Sequence, residues 1–453
     1  MHESVAGRLW EANRIRRAGP TAMAARQRER LAAQVEFARR NSPLYHRLYR
    51  NLPDRVTDPA LLPVTSKKTL MPEFGDWVTD RAITAERARA FAADPATAGE
   101  RFADHYTLVT TSGTTGTPGI FVVDERALTV NVALAGRMRA SWLGAADAAK
   151  VLARGARMAM VVATGGHFLV AAGSQRVFDH SWTAKAVRTF SAHAPIDELV
   201  AGLNAFRPAI LIGYASVLSL LAREQEAGRL RIGPVLVEPA GEALSPAERA
   251  RLGTSFAAKV RDTYGSTECP FLTDGCAAGW YHVNTDWAIA EPVDADHRPV
   301  PPGELSHTVL ITNLANRVQP ILRYDLGDRV RQRPDPCPCG NPLPAFRVQG
   351  RVADLLTVGN VTIPPLLLNT VVDRVPGVRQ FQIVQTAPAA LRVRLAYGPG
   401  ADIEQVWREV RAGLVKTLGP DVVLDRATEP PEQGAGGKFR PVIPLPQEKV
   451  HDH

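Results

Sequence analysis

The sequence has few cysteines, no long apolar run and no dense basic cluster, and each absence excludes a class of protein. No stretch approaches the roughly 20 continuous apolar residues that a transmembrane helix needs. The N-terminal segment MHESVAGRLWEANRIRRAG lacks the apolar core of a signal peptide. We therefore expect no membrane partner and a reducing, cytoplasmic location. With only four cysteines in 453 residues, metal binding or free thiols are expected before disulfides.

The charge distribution argues against a nucleic-acid partner. The net charge is +8, but Lys and Arg are scattered along the chain and no basic patch is interleaved with aromatic residues. The excess charge fits either an ordinary basic protein or one that attracts polyanions such as ATP or coenzyme A. The 45% of hydrophobic residues suffices for a large core, and the length predicts more than one domain.

The order of apolar runs and helical patterns predicts the fold. Between about residues 106 and 330, the short runs TLVTT, MAMVVAT, AILIGY and PVLVEPA alternate with helical segments, which predicts an α/β body with largely parallel strands. Beyond the Pro-rich segment PDPCPCGNPLP, the pattern is strand, helix, strand, strand, helix and a late strand. We predict a large N-terminal α/β domain over 1–350 and a small, mobile α+β domain over 351–453, with a mobile Pro- and Gly-rich tail near 429–437.

The segment TTSGTTGTPG is the sharpest functional signal. It follows an apolar run and combines hydroxyl side chains with glycines, which can turn backbone amides and hydroxyls toward a polyanion. The GxxxxGK[ST] spacing of a Walker loop is absent. We interpret the segment as a phosphate loop whose binding residues are Thr111, Ser112, Gly113, Thr114, Thr115, Gly116 and Thr117.

This loop resembles the phosphate loop of the adenylate-forming superfamily, which includes acyl-CoA synthetases, luciferases and nonribosomal adenylation domains. Ala240-Gly241-Glu242 resembles the segment of that superfamily that lies against adenine, and Tyr264-Gly265-Ser266-Thr267-Glu268 resembles its YGxTE element. The resemblance implies that Tyr264 packs on adenine, that Thr267 contacts the α-phosphate and that Glu268 holds Mg²⁺.

Three downstream positions extend the resemblance. The segment RYDLGD resembles the YxTGD motif, which implies that Asp328 binds both ribose hydroxyls. Gly350-Arg351 resembles the hinge motif between the two domains and adds Arg351 to the nucleotide-binding residues. Lys438, in GGKFR, matches the lysine that the C-terminal domain brings to the forming acyl phosphate.

Two positions depart from the superfamily pattern. Gly119 stands where the phosphate loop often has a basic residue, so the missing charge could come from another residue. Ala353 stands where the hinge usually has a carboxylate, which puts the second half-reaction in more doubt than the first.

The N-terminal segments ARRNSPLYHRLYRNLP and LPVTSKKTL are similar to the opening of the phenylacetate–coenzyme A ligase family, as is GRVADLLTVGNVTIPP. This resemblance implies a small aromatic acid as substrate and coenzyme A as acceptor. We place the acid pocket within about 130–215, near Tyr214 and the segment Thr164–Val170. His167 could face the substrate or could equally be a structural histidine.

A second constellation combines three thiols with one imidazole. Cys276-x5-His282 and Cys337-x-Cys339 supply a set that suits a closed tetrahedral structural Zn²⁺ site. The C-x-C spacing is tighter than usual, so free cysteines remain an alternative, although the resembled family has a similar arrangement. Cys269 is expected to be a packing residue.

The sequence therefore predicts an enzyme that uses ATP and Mg²⁺ to convert a small, aromatic carboxylic acid to its acyl-adenylate, with release of pyrophosphate and transfer to coenzyme A. Transfer to a carrier-protein thiol or an amine, and activation of an unusual acid such as nitrite, stay open. A non-catalytic nucleotide-binding protein is also open, although the retention of Glu268, Asp328, Arg351 and Lys438 speaks against it. The acid, the acceptor and the oligomeric state, monomer or homodimer, are not determined.

Overall fold

The structure is a computed structural model. It describes residues 4–111, 119–164, 186–351, 356–358, 361–363, 365–372, 375–433 and 439–445. The chain divides into two compact units. The first comprises Met1–Leu326 with Arg331–Arg347, and the second comprises Gly327–Val330 with Val348–His453.

The helices of the described residues are α1 (Val5–Arg17), α2 (Pro20–Asn41), α3 (Pro43–Leu48), α4 (Lys67–Leu70), α5 (Phe74–Trp77), α6 (Ala85–Ala93), α7 (Glu125–Trp142), α8 (Ala145–Ala153), α9 (Ile196–Phe206), α10 (Ala215–Glu226), α11 (Pro246–Phe256), α12 (Pro365–Val372) and α13 (Ile403–Leu418). Short 3₁₀ turns cover Pro59–Leu61 and Pro95–Thr97. None of these helices combines the length and apolar character that a membrane span requires.

The strands are β1 (Thr65–Ser66), β2 (Thr107–Thr110), β3 (Ile120–Val123), β4 (Met158–Val162), β5 (Val187–Ser191), β6 (Ile210–Tyr214), β7 (Leu236–Ala240), β8 (Lys259–Val260), β9 (Thr273–Gly275), β10 (Tyr281–Val283), β11 (Ala288–Val293), β12 (Thr308–Asn313), β13 (Tyr324–Asp325), β14 (Asp328–Gln332), β15 (Ala345–Arg351), β16 (Leu356–Val358), β17 (Val361–Ile363), β18 (Val378–Ala387), β19 (Ala390–Tyr397), β20 (Val423–Arg426) and β21 (Val442–Ile443).

A parallel sheet forms the core of the first unit. Its strands lie in the order β5-β4-β6-β7-β8, and every neighbouring pair is parallel. β4 and β6 are apolar and almost wholly buried because helices cover both faces, as is usual for parallel sheets. The predicted parallel α/β body is thus confirmed. The carboxyl ends of β6 and β7 bring Tyr214 and Ala240 side by side.

A second sheet carries the segments closest to the candidate site. Its order is β1-β13-β12-β11, in which β11, β12 and β13 are antiparallel and β1 joins β13 in parallel. The whole of β12 is buried. The short β1 is therefore added to a rigid edge, and α4 begins directly after it.

Helix α7 is fixed at both ends. The Asp124 side chain accepts a hydrogen bond from the amide of Ala127 at 2.7 Å and so caps the helix. Near the other end, Arg137 binds both carboxylate oxygens of the buried Asp286, at 2.9 and 3.0 Å. Such a buried, bidentate pair holds one geometry. The first turns of α7 border the candidate site.

The second unit has its own core. Strands lie in the order β20-β19-β18-β21, with β18 and β19 antiparallel and the outer strands parallel to their neighbours. Helices α12 and α13 pack on this sheet through buried residues such as Leu368, Val410 and Leu414. The predicted small α+β module is confirmed, and β17 is a strand that the sequence pattern did not predict. Residues 434–437 of the tail that we expected to be mobile lie outside the described residues.

Candidate active site

The phosphate loop joins two paired strands. β2 and β3 are antiparallel, with Thr110 opposite Ile120. At the base of the loop, the amide of Thr111 donates to the carbonyl of Gly119 at 3.0 Å, and the amide of Gly119 donates to the Thr111 hydroxyl at 2.8 Å. The structure thus places Thr111 at the base of the loop. The predicted binding residues Ser112–Thr117 lie outside the described residues.

The YGSTE element forms a tight turn after β8. The amides of Ser266 and Cys269 each donate to the carbonyl of the other residue at 3.1 Å. A Cβ atom on Gly265 would overlap the carbonyl of Pro270, so the turn requires glycine at this position. Burial, with a smaller contribution from the charge of Glu268, raises the pKa of the Cys269 thiol to about 12, as expected for an inert packing residue.

Glu268 is held from two sides. Its carboxylate accepts a hydrogen bond from the Tyr324 hydroxyl at 3.1 Å, and its backbone carbonyl accepts one from the Asn313 side chain at 2.8 Å. Tyr324 is only 3% exposed, so the phenol is a rigid donor. Within the described part of the chain, no lysine or arginine forms an ion pair with Glu268.

Thr267 and Glu268 line one cavity, which we call the Glu268 cavity. Its other walls come from β3, the start of α7 and the end of β12, through Phe121, Ala127, Asn131 and Asn313. The structure therefore brings the YGSTE element next to the strand that leaves the phosphate loop. Tyr324 was not singled out from the sequence, although it stands in the RYDLGD motif, and that motif is the signal that could have identified it.

The predicted adenine segment ends β7. Gly241 has φ of +71°, which favours glycine. The Glu242 carboxylate accepts hydrogen bonds from the amide of Ser216 at 2.7 Å and from its hydroxyl at 3.0 Å. It thus caps α10, so the structure gives Glu242 a structural contact that the sequence did not predict. The ring of Tyr264 packs edge-on against Phe346, with centroids 5.6 Å apart.

The candidate acid pocket is described only in part. Tyr214 is 4% exposed, and its hydroxyl accepts a hydrogen bond from the amide of Ala163 at 3.4 Å. Burial raises the pKa of this phenol, which keeps it neutral. Tyr214 therefore lies beside the start of the predicted pocket segment. His167 lies outside the described residues.

The remaining predicted nucleotide residues lie at strand ends. Asp328 is buried and begins β14, and Arg351 ends β15. Their contacts with a nucleotide stay predictions. Lys438, the predicted catalytic lysine, lies outside the described residues.

The four predicted metal ligands converge, and we call them the Cys/His cluster. The ligand atoms of Cys276, His282, Cys337 and Cys339 all lie within 4.8 Å of one another. The Sγ atoms of Cys276 and Cys337 are 3.7 Å apart, and the Sγ of Cys339 is 3.3 Å from Nε2 of His282. Cys276 lies in the turn after β9 and His282 lies in β10, whereas Cys337 and Cys339 come from the Pro-rich loop.

The environment of the Cys/His cluster orients its ligands. Nδ1 of the fully buried His282 donates to the carbonyl of Leu343 at 2.9 Å, which directs Nε2 at the thiols. Burial raises the pKa of Cys276, but hydrogen bonds from His282 and from backbone amides lower it more, to about 6. A thiolate is therefore accessible near neutral pH, as a metal ligand requires.

Comparison with known sequences identifies one family. The model of the AMP-binding enzyme family matches residues 27–305 of this chain. A search of curated proteins found no match.

Comparison with solved structures shows the same fold over most of the chain. A 2-hydroxyisobutyryl-CoA ligase in the postadenylation state, in complex with 2-HIB-AMP, has a TM-score of 0.67 and 20% identity over 94% of this chain and 89% of that one. The anthranilate CoA ligase AuaEII in complex with anthranoyl-AMP has a TM-score of 0.53 and 16% identity, covering 74% of this chain and 65% of that one. The amide bond synthetase McbA from Marinactinospora thermotolerans has a TM-score of 0.50 and 15% identity, covering 73% and 66%. The predicted fold class is confirmed.

Proposed function

Since this chain belongs to the AMP-binding enzyme family, we propose that it activates a small carboxylic acid with ATP and transfers the acyl group to coenzyme A. Its predicted membership of the adenylate-forming superfamily is confirmed, while the phenylacetate–coenzyme A ligase-like branch stays a prediction. The observation that carries the proposal is the Glu268 cavity, in which Thr267 and Glu268 of the YGSTE element and Phe121 of the strand that leaves the phosphate loop line the same space.

Glu268 is suited to hold Mg²⁺. Carboxylate oxygens are the ligands that Mg²⁺ prefers, and the contacts from Tyr324 and Asn313 fix Glu268 without neutralising its charge. When bound, Mg²⁺ supplies positive charge to the phosphate oxygens. Thr267, on the same wall of the cavity, would bind the α-phosphate.

The first half-reaction needs positioning more than covalent chemistry from the protein. A carboxylate oxygen of the acid attacks the α-phosphorus of ATP, an O–P bond forms, and the bond to the β-phosphate oxygen breaks with release of pyrophosphate. We assign the adenine to Gly241 and Tyr264, the ribose to Asp328, and electrostatic stabilisation of the developing charge to Lys438. Arg351 completes the predicted nucleotide-binding residues.

The second half-reaction consumes the mixed anhydride. The sulfur of coenzyme A attacks the acyl carbon, a C–S bond forms, AMP leaves with the electron pair, and the thiol proton passes to solvent. Solved ligases of this fold have been captured with 2-HIB-AMP and coenzyme A in the thioesterification state, which supports this acceptor. An amide bond synthetase shares the fold, so an amine is the second candidate, and a carrier-protein thiol is the third.

The acid is proposed to be small and aromatic. The anthranilate ligase supports an aromatic acid, whereas the 2-hydroxyisobutyryl ligase takes a branched aliphatic one. Both aromatic and branched aliphatic acids are therefore included in the test.

We also propose a structural Zn²⁺ ion in the Cys/His cluster. Three sulfurs and one imidazole nitrogen form a closed tetrahedral donor set, and the ligand atoms already converge within 4.8 Å. The ion would join the Pro-rich loop to the β9–β10 hairpin, and we propose a structural and not a catalytic role for it. Elemental analysis of the purified protein is expected to give one zinc per chain, and a zinc-free, folded protein would refute the assignment.

The proposed reaction is tested by its products. The protein is incubated with Mg²⁺, ATP, coenzyme A and single aromatic or aliphatic acids, including nitrite as an unusual acid. We expect AMP, pyrophosphate and an acyl-CoA in equal amounts, identified by mass spectrometry. AMP without acyl-CoA, with an amide formed when amines are added, would favour the amine acceptor. Binding of ATP without any AMP production would favour a non-catalytic nucleotide-binding protein.

A further inference from the structure

The exit of the phosphate loop lies against a lysine from a distant segment. A Cβ atom on Gly119 would lie 2.8 Å from Cε2 of Phe121, 3.2 Å from the Thr111 hydroxyl oxygen and 3.3 Å from Cε of Lys67. Lys67 is the first residue of α4, more than fifty positions earlier in the chain. Its aliphatic stem therefore lies beside Gly119, where it shares the space next to the glycine with the ring of Phe121 and the Thr111 hydroxyl.

Lys67 is held there by the pairing of β1 with β13. Thr65 lies opposite Tyr324 and Ser66 lies opposite Asp325. The amide of Thr65 donates to the carbonyl of Arg323 at 3.0 Å, and the Thr65 hydroxyl donates to the carbonyl of Leu322 at 2.9 Å. The position of Lys67 is thus set by a buried strand pair and not by a flexible loop.

Arg323 strengthens this attachment. Its guanidinium donates to the carbonyls of Leu62 at 2.8 Å and Ala60 at 3.1 Å. Arg323 also has φ of +46°, a left-handed conformation that a non-glycine residue adopts only at a cost. The segment that leads into β1 is therefore fastened to the same edge of the sheet that carries Tyr324, the partner of Glu268.

The phosphate loop has no positively charged side chain of its own, so a cation from another segment would complete it. Residues 110–119 contain neither lysine nor arginine, so the loop itself offers only dipoles to a triphosphate. An ammonium group is a compact cation with three donors, well suited to phosphate oxygens. Lys67 lies beside Gly119, which directly precedes β3, and Glu268 lines a cavity with Phe121 of that strand.

We propose that the Lys67 ammonium group, placed beside Gly119 at the exit of the phosphate loop, binds the β- and γ-phosphates of ATP and the departing pyrophosphate. This inference rests on the proposed function, because it needs ATP in the phosphate loop. In this role Lys67 contacts the two phosphates that leave as pyrophosphate and not the α-phosphate, which AMP retains.

The test compares ATP with AMP, which lacks the β- and γ-phosphates. Affinities for both nucleotides are measured by calorimetry, with Mg²⁺, for wild type, Lys67→Met, Lys67→Arg and the matched control Lys68→Met, whose side chain is exposed on the same helix. Loss of a charged hydrogen bond predicts roughly tenfold or greater weakening of ATP binding by Lys67→Met. AMP affinity and both affinities of Lys68→Met should stay within about twofold, and Lys67→Arg should recover part of the ATP affinity.

A relocated lysine sharpens the test. In Lys67→Met/Gly119→Lys, the new side chain starts beside the position of Cε of Lys67. Because its Cβ would press on the ring of Phe121, thermal unfolding first confirms that the variant is folded, and the folded variant should regain a preference for ATP over AMP. Equal ATP affinity in wild type and Lys67→Met, or equal weakening of ATP and AMP, would overturn the assignment of Lys67 alone. Wild-type protein that is folded but binds neither nucleotide would instead overturn the proposed function.

Discussion

The Glu268 cavity and the Cys/His cluster are two polar regions of the same unit, and their side chains are used in opposite ways. In the Cys/His cluster, all four ligand atoms face one another within 4.8 Å. Glu268 instead accepts hydrogen bonds from Tyr324, at its carboxylate, and from Asn313, at its backbone carbonyl. It lines the Glu268 cavity. The first arrangement brings four donor atoms together, as one small ion requires, whereas the second leaves the Glu268 carboxylate in the wall of a cavity shared with residues of β3, α7 and β12. We propose that the former stabilises the fold and that the latter contacts Mg²⁺ and the phosphates of ATP.

The largest effect is expected from Lys438→Ala, which removes the cation proposed to stabilise the transition state. Electrostatic groups of this kind contribute about 10²–10³-fold to the rate. The adenylation rate should fall by that factor while ATP affinity changes little, as measured by single-turnover formation of the acyl-adenylate. The matched control is Lys416→Ala, which changes an exposed lysine of α13 and should leave the adenylation rate unchanged. Wild-type rates in the Lys438 variant would refute its role.

The next effect tests the Cys/His cluster. Cys337→Ser should release zinc and lower the free energy of unfolding by about 3 kcal/mol or more, because loss of a structural metal is among the most destabilising changes. The matched control is Cys269→Ser, which alters a buried thiol outside the cluster and should retain zinc. Thermal unfolding and metal content measure both variants. Unchanged stability on loss of the metal would contradict a structural role.

Tyr324→Phe tests how Glu268 is held. Removing one hydrogen bond to a charged group costs about 1.5 kcal/mol, so we expect a roughly tenfold higher Mg²⁺ concentration for half-maximal activity. Tyr106→Phe removes a similar bond, from a phenol to Asp80 at 2.9 Å, and should leave the Mg²⁺ requirement unchanged. A lower rate at every Mg²⁺ concentration, without a shift in requirement, would argue that Tyr324 does not act through the metal.

The smallest effect is expected for Glu242→Ala. Because its carboxylate caps α10 through Ser216, the variant should lose about 1 kcal/mol of stability and change the KM for ATP by less than about twofold. Ser216→Ala should lose a similar amount, and the double variant should lose less than the sum. A large rise in KM for ATP at unchanged stability would place this carboxylate on the nucleotide.

The sequence predicted elements whose signal is local. The apolar runs that became β4, β6 and β7 identify a buried parallel sheet, and helices lie between these strands, as the alternation of apolar runs and helical segments predicted. The ligands of the Cys/His cluster could be named because their residue types are rare and chemically specific. Gly265 could be recognised from the sequence as part of the YGSTE motif. The reason that a glycine is needed there, the close approach of the Pro270 carbonyl, is visible only in the structure.

The sequence did not predict contacts that depend on distant pairing. Lys67 reaches Gly119 only because β1 pairs with β13, more than 250 residues away, and nothing near Lys67 signals that partner. The bond from Tyr324 to Glu268 spans 56 positions. The motif that contains Glu242 likewise gives no sign that its carboxylate accepts hydrogen bonds from Ser216, and its contact with the nucleotide stays a prediction. Each of these is an ordinary contact, but it joins residues far apart in the sequence and therefore depends on how the strands pair.

The most direct test of the account is acid-dependent exchange of pyrophosphate into ATP, measured with Mg²⁺ against a panel of aromatic and branched aliphatic acids. We predict exchange with at least one acid and none without acid, because the exchange requires a reversible acyl-adenylate. Absence of exchange with every acid, in folded protein that binds ATP, would contradict the proposal that the Glu268 cavity serves adenylation.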